Sequence, residues 1–220
     1  MVEAKKLAGD QDFILIVSEE QTQGKGTRGR NWTGFPGNIF ATVGIHRKYL
    51  PPTRLALLPL EIGLHVYEEA ASRINSQFRS KLNLKWPNDL MLEDSKVGGI
   101  LIESHGNFLL VGVGVNLAGA PLIIDGGRKS GCLADAGMNI QDKKAFIDGL
   151  YQRIKLHDPH SDQDLLLLEW QAKIVWTKMY PLRDREGQPL VKPMVINRQG
   201  HLKVRHQDGS QEWLVADYLA

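Results

Sequence analysis

Hydrophobic residues fall into two kinds of block along this 220-residue chain. Blocks of the first kind are short and bounded by turn formers. FILIV (13–17), NIFATVGI (38–45), LNLKW (82–86), DLML (89–92), KVGGILIES (96–104) and FLLVGVGVN (108–116) are too short for ordinary helices and read as strands. Turn-prone pieces such as Glu93-Asp94-Ser95 and His105-Gly106-Asn107 separate them, which predicts an antiparallel sheet. Blocks of the second kind have helical period. Leu58, Ile62, Val66 and Ala70 lie four apart behind PPT (51–53), giving one apolar helix face, and Pro59 implies a kink or a later start. KKAFIDGLYQRIKL (143–156) and DLLLLEWQAKI (164–174) read as two further helices, and VEAKKLA (2–8) as a short one closed by Gly9. After Trp176 the texture changes to short strands with turns at Gly187, Gly200 and Asp208-Gly209. That module of about 45 residues is too small to be stable alone and should dock on the rest. Strands with helices grouped around them and little β-α-β alternation define an α+β fold. The expected division is 1–175 and 176–220, a main domain followed by the small all-β module.

Composition narrows this picture only locally. Apolar residues make up 42% and charged residues 24% of the chain, an ordinary globular balance, and the net charge is +2. From Gln21 to Leu60, however, there are six Lys or Arg residues and no Asp or Glu. A local positive site on a balanced protein follows. The single Cys132 excludes an internal disulfide and fits a reducing compartment. No secretory signal is recognisable, and no apolar run approaches the ~20 residues of a membrane span. The expectation is a soluble cytoplasmic protein.

Three stretches could carry chemistry. GKGTRGRNW (24–32) combines three glycines with Lys25, Arg28 and Arg30. Glycines permit close approach of the backbone to a ligand, and the cations would favour an anion. The segment is no P-loop, since GxxxxGK[ST] fails, and no dinucleotide fingerprint, since it precedes a strand. It could equally be a mobile basic surface loop. KWPNDLMLEDSKVGGI (85–100) clusters Lys85, Asn88, Asp89 and Lys96 at a Trp-Pro turn beside buried strands, where polar groups should be paired. A plain reading is a salt bridge at Asp89, a turn cap at Asn88 and a hairpin cap at Lys96. Gly98-Gly99 within a strand marks a close approach by a ligand or another strand. VGVGVN (111–116) puts two glycines in a strand and an Asn at its end.

In this order and spacing the three stretches resemble the biotin protein ligase family, within the biotin/lipoate ligase superfamily. The family loop GRGRxGRxW corresponds to Gly24–Trp32, its KWPND…KxxGIL[IV]E core to Lys85–Glu103, and its GxGxN strand to Gly112–Asn116. The resemblance runs from about residue 2 to 175; the terminal module is similar, less specifically, to the family's SH3-like C-terminal domain. It implies a catalytic domain like those of class II aminoacyl-tRNA synthetases, with a mixed, mostly antiparallel sheet. It also implies two half-reactions: biotin and MgATP give biotinyl-5′-AMP and pyrophosphate, then a lysine of a biotin carboxyl carrier domain takes the biotin.

Residue roles follow from the same resemblance. Gln21, Gly24, Lys25 and Lys96 would contact biotin or its activated carboxyl, with Lys96 as the central catalytic cation beside Lys25 and Arg28. Gly98, Gly99, Gly112 and Gly114 would line the biotin wall. Arg28, Gly29 and Arg30 would face phosphates, Trp32 the adenine, and Asn88 and Asn116 the nucleotide. Asp89 would serve Mg²⁺. The implied partner is the carrier domain of a biotin-dependent carboxylase, without DNA or membrane, and a homodimer is an assembly the sequence leaves open. Three departures stand out. Lys25 replaces an arginine and so loses the planar fork. Thr27 replaces the arginine of the fourth loop position. The chain starts just after the family's Ser-Thr-Asn segment at the biotin ureido ring, which implies a truncated start or a differently held ureido group. No winged helix precedes Met1, so a repressor role is not expected. A lipoate or octanoate ligase, a non-catalytic binder of biotin or its adenylate, and a nucleic-acid-binding segment at 21–54 are the competing functions. The last lacks stacking aromatics around its charges.

Overall fold

The computed structural model describes residues 1–7, 11–27, 31–121, 123–124, 128–158, 160–182 and 185–215. The short apolar blocks become β1 (Phe13–Ser18), β2 (Ile39–His46), β3 (Leu82–Lys85), β4 (Asp89–Leu92), β5 (Ser95–His105) and β6 (Phe108–Val115). They form one sheet in the order β1-β2-β6-β5-β4-β3, and every pairing is antiparallel. The predicted turns close it. Glu93 and Gly106 take positive φ values of 53° in the β4–β5 and β5–β6 connections. Helix α1 (Val2–Leu7) matches the short N-terminal expectation, although Gly9, its expected cap, lies outside the described residues.

Pro59 resolves in favour of a later start. A single 3-10 turn covers Pro52–Arg54, and α2 (Leu58–Ala71) begins with the proline in its first turn, where no amide donor is missed. Helices α3 (Lys143–Leu156) and α4 (Gln163–Gln171) fall where their periodicity places them. A two-stranded ribbon, β7 (Ile123–Ile124) with β8 (Arg128–Lys129), forms a separate sheet that contacts β5.

The terminal module is a second antiparallel sheet, β12-β11-β10-β9, built from β9 (Tyr180–Pro181), β10 (Leu190–Ile196), β11 (Leu202–His206) and β12 (Gln211–Leu214). Its turn glycines 187, 200 and 209 all have positive φ. Val191, Ile196, Leu202, Val204 and Leu214 belong to the same buried cluster as the main-domain core, so the module is docked by shared apolar burial. The Trp86 indole N–H adds a buried hydrogen bond of 2.9 Å to the Gly200 carbonyl. Helices α2 and α3 cover one face of the main sheet, α4 packs against α2 and β10, and α1 covers part of the other face. That second face holds the site.

Candidate active site

Strand alternation explains why a cavity opens on the second face. In β6, Leu109, Val111, Val113 and Val115 join the core under the helices, while Phe108 and Leu110 pack with Ala4 of α1 on the other side. Gly112 and Gly114 continue the α1 side, where they project nothing. In β2, Ile39, Ala41, Val43 and Ile45 face the helices. Thr42 therefore faces the cavity. Gly99 of β5 stands opposite Gly114 in register. The result is a bare-backboned floor under a cavity of about 160 Å³, lined among others by Thr42, Lys96, Gly99, Gly112, Gly114 and Trp32.

The described ends of the basic loop, residues 24–27 and 31–32, meet in a closed neck at the cavity. The Trp32 amide donates to the Gly24 carbonyl at 2.9 Å, and Lys25 bridges Asn31 in antiparallel fashion. A Cβ on Gly24 would lie 2.2 Å from the Trp32 carbonyl oxygen, so this neck closes only with glycine. The Trp32 ring then lies on the floor. Its atoms would be 3.1–3.2 Å from a Cβ at Gly114 and 3.3 Å from one at Gly99. Gln21 and Lys25 border the same cavity. Arg28, Gly29 and Arg30 lie outside the described residues.

The KWPND stretch forms the β3–β4 hairpin, with Lys85 opposite Asp89 around a cis Trp86–Pro87 bond. Lys85 is buried away from the cavity, its ammonium 5.5 Å from the Tyr180 ring centroid. Asn88 donates through Nδ2 to the Ile100 carbonyl at 2.6 Å, which fixes its position at the cavity edge. Its Oδ1 is buried without a partner among the described residues, leaving an acceptor for a ligand. Asp89, only 4% exposed, forms an ion pair with the Lys96 ammonium. A bulge makes that contact. Pairing of β4 with β5 runs Leu90 to Gly98 and then Met91 to Lys96, and this register shift re-aims the lysine. The ammonium also stands 5.4 Å from the Trp32 ring, within cation–π range. One cation, one carboxylate and one indole are thus assembled over a glycine floor.

Gly24, Asp89, Gly98 and Asn116 sit just outside the lining. Gly98 allows close strand packing: a Cβ there would be 3.3 Å from both the Gly114 carbonyl oxygen and the Leu90 Cβ. Asn116 is buried, accepting from Asn38 Nδ2 at 3.3 Å and donating to the Gly131 carbonyl at 3.2 Å. Asn38 in turn accepts the amides of Leu117, Ala118 and Gly119, so the pair of asparagines pins the end of β6. Several lining residues escaped the sequence reading: Met1, Lys5, Thr42 and Glu103. Lys5 and Glu103 form a salt bridge of 2.7 Å tying α1 to β5, and Thr42 accepts the Met1 amine at 3.2 Å. Thr42 had a signal, being the one hydroxyl in the apolar run IFATV. Glu103 gave none beyond ending its motif.

Asp89 was the expected Mg²⁺ ligand. Its carboxylate is taken up by Lys96, and among the described residues no three His, Cys, Asp or Glu groups converge on it.

Residues 4–118 match the biotin/lipoate A/B protein ligase family. The chain belongs to that family. A biotin--[acetyl-CoA-carboxylase] ligase of Paracoccus denitrificans is 32% identical over 205 residues, covering 86% of this chain and 79% of that protein. The protein of the same description from Mycobacterium tuberculosis is 31% identical over 147 residues, 66% of this chain; the match spans only 54% of that longer protein. Among solved structures, biotin protein ligase of Leishmania major in complex with biotin superposes with a TM-score of 0.74 at 27% identity, covering 98% of this chain and 93% of that one. The complex of the same protein with biotinyl-5-AMP gives 0.70 at 28% identity, with 97% and 93% coverage. Among the described residues no helix is long and apolar enough to cross a membrane.

Proposed function

We propose that this family member is an ATP-dependent biotin protein ligase. It would join biotin to AMP and then pass the biotin to a lysine of a carboxyl carrier domain. The observation that carries the reading is the Lys96–Asp89 pair held beside Trp32 over the Gly99–Gly114 floor. A flat, apolar ligand with a carboxylate tail suits a backbone floor ending at an ammonium group. The relatives described as biotin ligases, and the fold shared with a biotinyl-5-AMP complex, support the same assignment.

In the first step a biotin carboxylate oxygen attacks the α-phosphorus of ATP. The bond from that phosphorus to the oxygen bridging the β-phosphorus breaks, and pyrophosphate leaves. Carboxylate and phosphate are both anionic, and two unit charges 4 Å apart repel by about 4 kcal/mol at an effective dielectric of 20. Lys96 offsets that repulsion where it develops, with Asp89 fixing the direction of its ammonium. Lys25 borders the same space, and the family pattern would give Arg28 and Arg30, which lie outside the described residues, a role toward the phosphates. Asn88 Oδ1 is an acceptor for a nucleotide N–H or hydroxyl. Mg²⁺ would enter with the phosphates, since such ions are held mainly by phosphate oxygens and water. In the second step the carrier amine attacks the biotinyl carbon, its bond to the AMP oxygen breaks, and the amine releases a proton to solvent.

The test is purified protein with biotin, MgATP and a carrier domain, scoring pyrophosphate release and carrier labelling separately. A ligase gives both signals with biotin. Response only when lipoate replaces biotin would reassign the substrate, and neither signal would leave a binding protein.

A further inference from the structure

A second polar cluster lies away from the cavity, where α2 meets the end of α3. Glu61 and His65 are four residues apart and share one face of α2, and His157 follows directly after α3. Their ligating atoms all lie within 4.8 Å of one another. His157 Nε2 is 2.8 Å from Glu61 Oε1 and also 3.0 Å from Arg54 Nη2. One ring nitrogen cannot satisfy both, because arginine only donates and an ionised carboxylate only accepts. Glu61 is 3% exposed, yet its Oε2 has no hydrogen-bond partner, and neither does His65 Nε2. Buried polar atoms are rarely left so, and unexplained ones commonly mark a water or an ion.

We infer that Glu61, His65 and His157 form a binding site for one divalent transition-metal ion of the Zn²⁺ type. Two imidazoles and one carboxylate are a ligand set used for zinc, with a fourth position left to water. An ion there takes the lone pairs of His65, His157 and Glu61, which resolves the conflict at His157. Tetrahedral ligation at about 2.0–2.1 Å sets ligands roughly 3.3 Å apart, so side-chain rotation by an ångström or so closes the cluster. Arg54, whose Nη2 lies 3.8 Å from Glu61 Oε2, remains as an outer partner of the carboxylate and donates to Ser161 Oγ. His157 keeps 15% of its side chain exposed, which gives an entry path.

The experiment uses the whole chain, stripped of metal by chelation, with no biotin or ATP, so its outcome is separate from the ligase assignment. Zn²⁺ is titrated by calorimetry, and Co²⁺ by visible absorption. The expected result is one ion per chain, an intense four-coordinate Co²⁺ spectrum and a Zn²⁺-dependent rise in melting temperature. His157→Gln and His65→Gln each weaken binding by at least about tenfold, given the loss of one of three ligands. His157 is the marginal, more tolerant position, and a cooperative melt of each variant checks its fold. Three results would each overturn the site: less than one ion per chain, a weak spectrum typical of six-coordinate surface binding, or wild-type affinity in a folded His157→Gln protein.

Discussion

Replacing Lys96 by glutamine should separate what this lysine does for the reaction from what it does for the fold. Its ammonium pairs with Asp89, which is 4% exposed. Removing the charge takes an ion-pair partner from a buried carboxylate. Breaking a fully buried pair costs about 3–5 kcal/mol, but glutamine retains an N–H donor, so about 2 kcal/mol is expected here. For a chain of this size that lowers the melting temperature by roughly 4–8 °C. Adenylation should fall much further. Losing a group that stabilises developing charge costs roughly 10²–10³ in kcat, about 2.7–4 kcal/mol. The double variant Lys96→Gln/Asp89→Asn distinguishes the two effects. With the carboxylate neutralised, stability should return towards wild type while pyrophosphate release stays low. Calorimetric melting and a continuous pyrophosphate assay on the four proteins of the cycle give both numbers. Near wild-type pyrophosphate release from a folded Lys96→Gln protein would refute the catalytic assignment. A double variant as unstable as the single one would refute the pairing argument.

Three further outcomes follow from the geometry. Gly114→Ala places a methyl group 3.1 Å from the Trp32 ring, so the indole must lift; overpacking of about 1–3 kcal/mol predicts biotin binding weaker by roughly 5- to 150-fold in calorimetry, and unchanged binding would show the ring moves freely. Burial lowers the His65 pKa to about 4, so in metal-free protein the unfolded state binds a proton that the folded state refuses between about pH 4 and 6.5. Stability should therefore be full above pH 6.5 and fall by up to about 3 kcal/mol as pH drops towards 4, a loss that His65→Gln removes and urea melts at several pH values would detect. Thr27→Arg should slow escape of preformed biotinyl-5′-AMP by roughly 10- to 150-fold if a charge-assisted bond of about 1.5–3 kcal/mol is gained, read by rapid dilution; an unchanged escape rate would make Thr27 neutral.

Much of this molecule was legible because alternation and turn chemistry act locally. The strands from Phe13 to Asn116 are bounded by glycine, asparagine and acidic turns, and consecutive strands became sheet neighbours except at β2, which pairs with β6 while β3 takes the far edge. The cavity floor was half-legible: Gly112 and Gly114 announced a close approach, but the Trp32 ring lying on that floor is a tertiary contact without periodic signature. Lys96 and Asp89 were singled out by their motif, whereas the bulge that joins them depends on the register of β4 against β5. Asn116 shows the limit of motif reading. Its amide is engaged by Asn38, seventy-eight residues away in sequence, and no local pattern couples the two. Thr42, Lys5 and Glu103 entered the site through strand facing and helix docking. The Glu61–His65–His157 cluster was invisible for the same reason, since its third member arrives from a different helix.

If this cavity joins biotin to AMP, the adenylate should be found on the protein itself, and mass spectrometry after incubation with biotin and MgATP, without any carrier, would detect it. Bound biotinyl-5′-AMP should approach one per chain, be absent in Lys96→Gln, and be consumed when a carrier domain is added, with biotinyl-lysine appearing in its place. A folded protein that accumulates no adenylate with biotin would contradict that assignment.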